Sequence, residues 1–593
     1  MIKLATVFSG IGAIEHALKR MGVEHKIVFA CDNGDVDIFT KKINVSLKSI
    51  DREFVELKKV ISHIDKSDIS DEQGLLDMIE SLDKQEFTYY QTIEKLKSLD
   101  DSIVDLTEKL LETILEMESL KSARKKEYKN FLDDIKKLNG AEKKLRVLQN
   151  VVEVLNDFRK DNLWESLEEG NNDFESIDGI QWDVVVSDLR EAQLFLDLNS
   201  GKRLIKSVRD IAERLGMLDE KIKEANIKLE LSKLDTFEER KAYVDSLYKA
   251  HEKSNKVKQS YMANYDLDEA NFHWNVSFLE GEHYKGEVDL FVGGSPCQSF
   301  SLVGKQRGLE DTRGTLFYEY ARLVKEIKPK VFIYENVRAL LSNDGGNTWE
   351  TIQKVFTDLD YTWTAGVLNA KDYGIPQNRE RVFVIGFRND LKLKKPFKMP
   401  EPISLGNTTM KDFLLDNVSG KYYLPAKGVR FVTDEKNLEK RYTQIDGTIQ
   451  LCQKKNQQFN WHGDFVFEAQ DEDKEKLMKD LEKYFLSEKV YKYVMASGTK
   501  GFYSKPKTDL DIARPLLTTM HKMHRAGVDN YVTTEGRLRK LTPRECLRLM
   551  GFCDSFKIAV SDTAMYQQAG NSIVVDVLIA IMNSIFESYS DFE

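Results

Sequence analysis

The chain has 593 residues, a length that suggests about three or four domains. Its content of 41% apolar and 10% aromatic residues excludes a disordered chain. Five scattered cysteines without a CxxC pair argue against a disulfide framework and a structural zinc site. The sequence contains no run of eighteen consecutive apolar residues, the length that a membrane-spanning helix needs. The net charge of −10 is uneven, because residues 34–273 carry −13 and the remaining residues carry +3. All ten prolines lie at or after Pro296. The sequence therefore predicts a cytoplasmic protein whose near-neutral body is interrupted by an acidic, proline-free segment.

The first thirty residues alternate strand and helix patterns in the way that is typical of a doubly wound α/β sheet. Lys3–Phe8 predicts a buried strand, the next stretch predicts a helix that ends near Gly22, and Ile27–Ala30 predicts a second strand. Between the first strand and the helix lies the turn Phe8-Ser-Gly-Ile-Gly12. Backbone N–H groups in such a turn can approach a nucleotide-like cofactor closely. Asp32, at the end of the second strand, could bind ribose hydroxyls or cap the next helix.

From about Lys41 to Lys258, helix-forming residues dominate. The longest apolar stripe keeps heptad spacing over Leu204, Val208, Ile211, Leu215, Leu218, Ile222, Ala225 and Leu229. Such a stripe can be an ordinary helix core, but its length and its charged neighbours favour a coiled coil. Asn139-Gly140 predicts a hairpin tip unless the helix continues through it, and Trp182–Val186 has the pattern of an isolated strand.

The strand and helix alternation resumes from Asn275. Val288–Gly294, Val331–Tyr334 and Arg381–Phe387 predict three strands that are separated by helical stretches. Residues 389–513 differ in texture, since they are rich in turns, aromatic residues and lysines and carry a net charge of +3. The final eighty residues are again apolar and helical in pattern.

Two of these strands lead directly into motifs that can carry chemistry. Gly-Gly-Ser-Pro-Cys-Gln at 293–298 places Cys297 in a loop at the carboxyl edge of the sheet, where open α/β sheets bind ligands. A buried, inert thiol is the commoner fate of a free cysteine, but the neighbouring proline and glycines favour a functional loop. Glu-Asn-Val at 335–337 follows the next strand, so its carboxylate would converge with the thiol or cap a helix. Arg379 and Arg381 share one face of an extended segment, which is otherwise often a solvated edge.

Together and in this order, the motifs resemble those of the bacterial cytosine-C5 DNA methyltransferases. The motifs are Phe8–Gly12, Pro-Cys-Gln at 296–298, Glu-Asn-Val at 335–337, Gln-x-Arg-x-Arg at 377–381 and Gly-Asn-Ser at 570–572. Further stretches at 305–317, 514–517 and 541–545 are similar to other motifs of that family. The resemblance covers residues 1–33, about 275–388 and 514–585, and it omits the helical segment.

This resemblance implies an α/β, doubly wound (Rossmann-like) S-adenosylmethionine-dependent methyltransferase domain built from residues 1–33, 274–388 and 514–593. A long α-helical coiled-coil insertion would occupy residues 34–273. A smaller target-recognition domain would occupy residues 389–513. The family's second and third motifs are normally near neighbours, so the acidic half of the chain is predicted to be one insertion.

The resemblance also implies residue roles in catalysis. The thiolate of Cys297 would attack C6 of a cytosine that is flipped out of the DNA, and Glu335 would hold the N3 edge of the ring. Arg381, together with Arg379, would steady the cytosine carbonyl and the developing charge. The methyl group of S-adenosylmethionine would pass to C5, and loss of the C5 proton would then expel the cysteine. No metal is implied.

Six residues match positions at which the family contacts its cofactor, namely Phe8, Gly10, Gly12, Asp32, Pro296 and Asn571. Two positions depart from the family pattern. Asp32 stands where the family often has glutamate, so its reach to the ribose is shorter. Asn275 stands where the third motif has the acidic residue that contacts adenine.

The implied function is a DNA (cytosine-5) methyltransferase that acts on a specific sequence in double-stranded DNA, in a prokaryotic cell or encoded by a phage. One alternative is a related enzyme that acts on tRNA, against which the long recognition region and the Pro-Cys-Gln signature speak. The other is a coiled-coil DNA-targeting or structural protein with an inactive methyltransferase body, against which the intact motifs speak. Restriction–modification, phage protection and gene regulation all stay open, and the helical segment could self-associate or bind another protein.

Overall fold

The computed structural model describes residues 1–63, 72–116, 122–160, 200–296, 315–415, 422, 424, 426–452, 461–469, 510–511 and 530–592. The chain divides into two compact units. The first combines Met1–Ile38 with Leu234–Glu593, and the second is Phe39–Lys233.

The described helices are α1 (Ala13–Met21), α2 (Leu47–His63), α3 (Glu72–Ser98), α4 (Ser102–Glu116), α5 (Ser122–Lys136), α6 (Gly140–Lys160), α7 (Ser200–Ser232), α8 (Phe237–Tyr248), α9 (Lys256–Asn264), α10 (Thr315–Ile327), α11 (Asn347–Thr357), α12 (Ala426–Val432), α13 (Glu435–Glu439), α14 (Pro543–Arg548), α15 (Asp562–Asn571) and α16 (Val575–Ser588). The described strands are β1 (Ile2–Val7), β2 (His25–Cys31), β3 (Phe272–His273), β4 (Leu290–Gly293), β5 (Val331–Val337), β6 (Tyr361–Asn369), β7 (Glu380–Arg388), β8 (Thr443–Ile445), β9 (Gly447–Thr448), β10 (Gly463–Ala469), β11 (Leu510–Asp511) and β12 (Asn530–Lys540).

A seven-stranded sheet in the order β3-β2-β1-β4-β5-β7-β6 lies at the centre of the first unit. Strands β3, β2, β1, β4 and β5 are parallel, whereas β7 is antiparallel to both β5 and β6. The strand order reverses between β1 and β4, and open α/β sheets bind ligands at the carboxyl ends beside such a reversal. The predicted mostly parallel, doubly wound sheet is therefore confirmed.

Both faces of this sheet are covered, because successive side chains of a strand point to opposite faces. In β4, Leu290 and Val292 join one apolar cluster, and Phe291 joins the other. This double burial explains why the central strands are continuous apolar runs in the sequence. Strands β3 and β6 were not predicted, since β3 has two residues and six of the nine residues of β6 are partly buried or exposed.

The second unit is shorter than the predicted insertion of residues 34–273. Residues 234–273 belong to the first unit, where Asn255, the N-cap of α9, contacts the residue after β2 and α9 itself contacts α15. Asn255 donates from Nδ2 to the backbone oxygen of Asp32 at 3.0 Å, and Ser260 Oγ donates to Gln568 Oε1 at 2.7 Å. Thr236 begins a capping box with Glu239 at the start of α8, but this local signal does not show to which unit the following residues belong.

Described helices of the second unit share one apolar core. The predicted stripe of α7 is buried from Leu204 to Ile222, but Ile205 and Ala212, which lie outside the heptad pattern, are buried as well. Helix α7 packs against α2, α3 and α6, so several helices bury the stripe. A helical insertion is present, whereas the coiled coil stays a prediction.

The hairpin tip at Asn139-Gly140 is confirmed. Helix α5 ends at Lys136, and α6 begins at Gly140, whose φ of 55° is a left-handed conformation that glycine adopts without strain. The two helices pack against each other. The predicted strand at Trp182–Val186 lies outside the described residues.

The predicted recognition region, residues 389–513, differs from the structure at both ends. Residues 389–415 extend the body, since Lys394 N donates to Ser588 O at 2.8 Å and Phe397 packs on Phe387. A separate small apolar cluster contains Leu424, Val429, Val432, Ile445 and Phe465. Strand β12, at residues 530–540, pairs with β8 and β10 beside this cluster. We call the part of the first unit that contains this cluster and strands β8, β10 and β12 the small β domain, and it continues past residue 513.

Helices α15 and α16 form the one run in the described ranges that is long and apolar enough, by length and composition, to cross a membrane. Its most apolar window has a mean hydropathy of 1.7, and 56% of that window is buried inside the fold. Helix α16 packs against α1, and Asp576 pairs with Arg20 at 2.6 Å. Packing in the core accounts for the apolar character of this run.

Candidate active site

The turn after β1 has the backbone conformation that its glycines suggested. Phe8, Gly10 and Gly12 all have positive φ, at 52°, 54° and 75°. A Cβ atom at Gly10 would have only the Phe8 oxygen within 4 Å, so the space beside this residue is open. A Cβ atom at Gly12 would instead lie 2.2 Å from Cε2 of Tyr265. Gly10 can therefore face a ligand, whereas Gly12 lets an aromatic ring pack against the turn.

Asp32 fixes this turn from the end of β2. Its Oδ2 accepts from Gly10 N at 2.9 Å, and its Oδ1 accepts from Gly34 N at 2.8 Å. These contacts hold the Asp32 carboxylate beside the glycine turn, at the carboxyl edge of the sheet. Neither predicted alternative foresaw that Asp32 also binds the glycine turn itself.

Asn275 has both ends of its side chain engaged. Its Oδ1 accepts from Ser277 N at 2.9 Å, and its Nδ2 donates to the hydroxyl of Tyr248 at 3.0 Å. Tyr248 is the last residue of α8, and its ring stacks on Trp274. Asn275, which departs from the family pattern, thus binds α8, the first helix after the second unit in the sequence.

The loop after β4 approaches Glu335 directly. Cys297 lies outside the described residues, while Pro296, the last described residue before it, is exposed. A Cβ atom at Gly294 would lie 2.6 Å from the backbone oxygen of Glu335 and 3.0 Å from its Oε2. Only glycine fits at residue 294 without a shift of Glu335, which explains the glycine at this place in the motif.

Glu335 forms an ion pair with Arg381. Glu335 Oε1 lies 3.0 Å from Arg381 Nε, and the two side chains are only 15% and 14% exposed. The pair spans adjacent antiparallel strands, because Val337 is opposite Arg381 in the register of β5 and β7. Burial raises the pKa of Glu335, although Arg381 and Arg379 oppose this shift. A carboxyl group whose pKa is raised by burial can take up a proton and donate it to a ligand, while the ion pair fixes its position.

The structure gives Arg379 a different position from the predicted one. Its side chain is buried, and Nη2 donates to the backbone oxygens of Gly570 and Ser572 at 3.0 and 2.9 Å. These contacts hold the end of α15, where Asn571 is exposed. Alternation along a strand could not show that Arg379 is buried against another loop, and its predicted role at the cytosine carbonyl stays a prediction.

Sequence reasoning missed three residues near the pair. Ser295 and Tyr334 are buried and hydrogen-bond to each other at 2.8 Å between hydroxyl oxygens. Cys452, from the small domain, places Sγ 3.8 Å from Arg381 Nη1. Ser295 was visible as the residue before Pro-Cys, but nothing in the sequence indicated the approach of residue 452.

A buried carboxyl group lies beneath the glycine turn. Oε1 of Glu15 accepts from Tyr261 at 2.5 Å and from Thr6 at 3.1 Å, whereas Oε2 has no hydrogen-bond partner among the described residues. Burial, the largest cause, raises the pKa of Glu15 to about 7 from an ordinary 4.5. The folded protein therefore keeps a proton here that the unfolded chain has already lost at pH 6.

Replacing Glu15 with glutamine should stabilise the protein at pH 8 but hardly at pH 4.5. Because the folded-state pKa is the higher one, wild-type stability should fall as pH rises from about 4.5 to about 7 and then level off. The total loss is about 3 kcal/mol, since each pKa unit corresponds to about 1.4 kcal/mol. Thermal unfolding midpoints of both proteins at several pH values measure the difference. The exposed Glu24→Gln substitution is the control, and an equal pH dependence in the Glu15 variant and the wild type would contradict the assignment.

Comparison with known proteins gives consistent matches. Residues 237–587 match the model of the C-5 cytosine-specific DNA methylase family. The type II methyltransferase M.HhaI of Haemophilus parahaemolyticus is 37% identical over 300 residues, which cover 51% of this chain and 76% of that protein. The orphan methyltransferase M.SPRI of Bacillus phage SPR is 29% identical over 400 residues, covering 56% of this chain and 90% of that protein. The structure of the Entamoeba histolytica methyltransferase EhMeth aligns over 57% of this chain and 88% of its own, with 17% identity and a TM-score of 0.35.

Proposed function

The chain belongs to the C-5 cytosine-specific DNA methylase family, and from this premise we propose how its residues act in a DNA (cytosine-5) methyltransferase. S-adenosylmethionine supplies the methyl group that is transferred to C5 of cytosine. The observation that carries the assignment of roles is the Glu335–Arg381 pair, which lies against Gly294 where β4 leads toward Cys297.

Cys297 is the proposed nucleophile. Cytosine C5 is a poor nucleophile, and addition of the thiolate to C6 turns the ring into an enamine that can accept a methyl group at C5. Loss of the C5 proton then returns the electron pair and breaks the bond between Sγ and C6. Support comes from the Pro-Cys-Gln motif and from the close approach of Gly294 to Glu335.

Glu335 is the proposed partner of cytosine N3. Because burial raises its pKa, Glu335 takes up a proton more readily than an exposed glutamate, and it can donate that proton to N3 as the thiolate adds and negative charge develops on the ring. Arg381 would face the cytosine carbonyl while its ion pair fixes the position of Glu335. We assign Arg379 a positioning role, because its guanidinium holds the backbone on either side of Asn571.

The turn after β1 fits the adenosyl cofactor. Open space beside Gly10 and the position of the Asp32 carboxylate directly after β2 suit a ribose hydroxyl. Phe8, Pro296 and Asn571 are the other proposed contacts, and Gly12 would act through the packing of Tyr265 rather than through direct contact. We do not assign Asn275 the adenine contact, because its side chain binds Tyr248 and Ser277.

DNA is the substrate, and the small β domain is the proposed reader of its sequence. The match to a type II methyltransferase favours a role in restriction–modification in a bacterial or phage-infected cell, with a cytoplasmic location. The family match disfavours the tRNA alternative. The second unit exposes Val55, Phe87 and Tyr90 at 64%, 65% and 51%, which makes it the candidate for self-association or protein docking.

Bisulfite sequencing of DNA from a host that expresses the protein tests the proposed function. We expect one short sequence whose cytosine is protected at nearly every occurrence, because sequence-specific transfer marks a defined base. The same host without the gene is the control. No protected cytosine in DNA, together with newly protected cytosines in tRNA, would overturn the proposal.

A further inference from the structure

A cluster of three buried polar side chains joins the ends of β4 and β5. The hydroxyl oxygens of Ser295 and Tyr334 are 2.8 Å apart. Asn336 Nδ2 donates to the Tyr334 hydroxyl at 2.8 Å and to the backbone oxygen of Ser295 at 3.1 Å. All three residues are at most 4% exposed. Buried polar groups are retained at this density only when they satisfy one another, so the cluster is a specific bonded arrangement.

The cluster lies beside both proposed reactive groups. Ser295 precedes Cys297 by two residues, and Tyr334 precedes Glu335 by one. Because side chains alternate along a strand, Tyr334 and Asn336 face one side of β5 and Glu335 faces the other. Gly294 completes the contact, since a Cβ atom there would lie 2.6 Å from the Glu335 backbone oxygen. The segment that leads to Cys297 is thus held against β5 through the main chain and through a side chain.

We propose that Ser295, Tyr334 and Asn336 are positioning residues for methyl transfer, which fix the start of the Cys297 loop relative to Glu335. This inference rests on the proposed roles of Cys297 and Glu335. The Tyr334 hydroxyl is the centre of the cluster, because it contacts both other side chains. Correct placement of reacting groups contributes strongly to rate, and a misplacement of about 1 Å can cost roughly 100-fold.

Another buried tyrosine provides a matched control. Tyr320 is fully buried, and its hydroxyl donates to the backbone oxygen of Ile333 at 3.0 Å. Tyr320 and Tyr334 belong to the same apolar cluster, and their rings are in contact. The hydroxyl of Tyr320, however, bonds within the interior of β5 and not to the loop. Its loss should therefore affect stability without changing the contact between Ser295 and β5.

The test compares Tyr334→Phe with Tyr320→Phe in the full chain, using DNA that contains the methylated sequence found in the host. We expect single-turnover methylation by Tyr334→Phe to fall at least 10-fold, with KM for DNA and for S-adenosylmethionine within twofold of wild type. Tyr320→Phe should keep a rate within twofold of wild type, although we expect its melting temperature to fall by about as much as that of Tyr334→Phe. Equal rates in the two variants would overturn the proposal. Wild-type protein without activity would instead contradict the proposed function, so the two failures are distinguishable.

Ser295→Ala keeps the proposal testable if Tyr334→Phe does not fold. This variant removes the hydroxyl contact but leaves the backbone oxygen that Asn336 binds. We expect a reduced rate with unchanged KM, and the double variant Ser295→Ala/Tyr334→Phe should lose little beyond Tyr334→Phe alone, because both changes remove the same bond. A wild-type rate in Ser295→Ala, or losses that multiply fully in the double variant, would overturn the proposal.

Discussion

Replacing Cys297 with alanine should abolish methyl transfer and leave DNA binding intact. Without a thiolate at C6 the cytosine ring is not activated, and removal of a catalytic nucleophile typically costs roughly 10⁴-fold or more in rate. Incorporation of labelled methyl groups into DNA measures the rate, and a gel-shift titration measures binding. Retained turnover would contradict the mechanism.

Cys452→Ala is the informative companion to that variant. Among the described residues, Cys452 brings its thiol 3.8 Å from Arg381, so it is the competing candidate on geometry. We expect Cys452→Ala to keep measurable turnover. If activity were lost in Cys452→Ala and kept in Cys297→Ala, the nucleophile would be the residue from the small domain.

Replacing Glu335 with glutamine should lower the rate of methyl transfer by roughly 10²- to 10⁴-fold, the usual range for loss of a general acid. Glutamine has a similar shape and can still contact N3, but it carries no acidic proton and leaves Arg381 without its counter-charge. Single-turnover rates measure the chemical step. Thermal unfolding must be followed in parallel, because breaking a buried ion pair also destabilises the fold.

The pH dependence of the rate separates this role from a structural one. Wild-type Glu335 loses its proton as pH rises, and burial shifts this titration to a higher pH than that of an exposed glutamate. The rate should therefore fall with rising pH through that titration. The Glu335→Gln variant should lack this descending limb. Glu380→Gln is the control, since Glu380 pairs with Arg338 in an exposed ion pair close to the same strands. A variant within threefold of the wild-type rate, with an unchanged pH profile, would argue against the assignment.

Sequence alone predicted the parts of this fold that depend on local pattern. Continuous apolar runs marked β1, β4 and β5 because both faces of the sheet are buried, and Gly140 marked the hairpin of α5 and α6. Strand β3 was not predicted because two residues are too few to show an alternating pattern, and it pairs with β2 alone among the described strands.

The site was predictable in composition but not in arrangement. The motifs named Glu335 and Arg381, and the structure places them in one ion pair. Arg379 was predicted to share one face with Arg381, but its burial depends on a loop almost two hundred residues further along the chain. Long-range packing likewise decides that residues 234–273 belong to the first unit and that Cys452 contacts Arg381, and no local property of the sequence encodes it.

The ends of the helical unit have a consequence for how such a chain can arise. Lys223, in the last described helix of that unit, donates to the backbone oxygen of Phe39, its first residue, at 3.1 Å. This contact ties the first residue of the unit to α7, ten residues before the unit ends at Lys233. Closure entropy grows only slowly with loop length, so a long insertion at one place costs the catalytic body little. The unit lies between β2 and β3, which are neighbours at one end of the sheet, so its gain or loss need not change the order of the other strands.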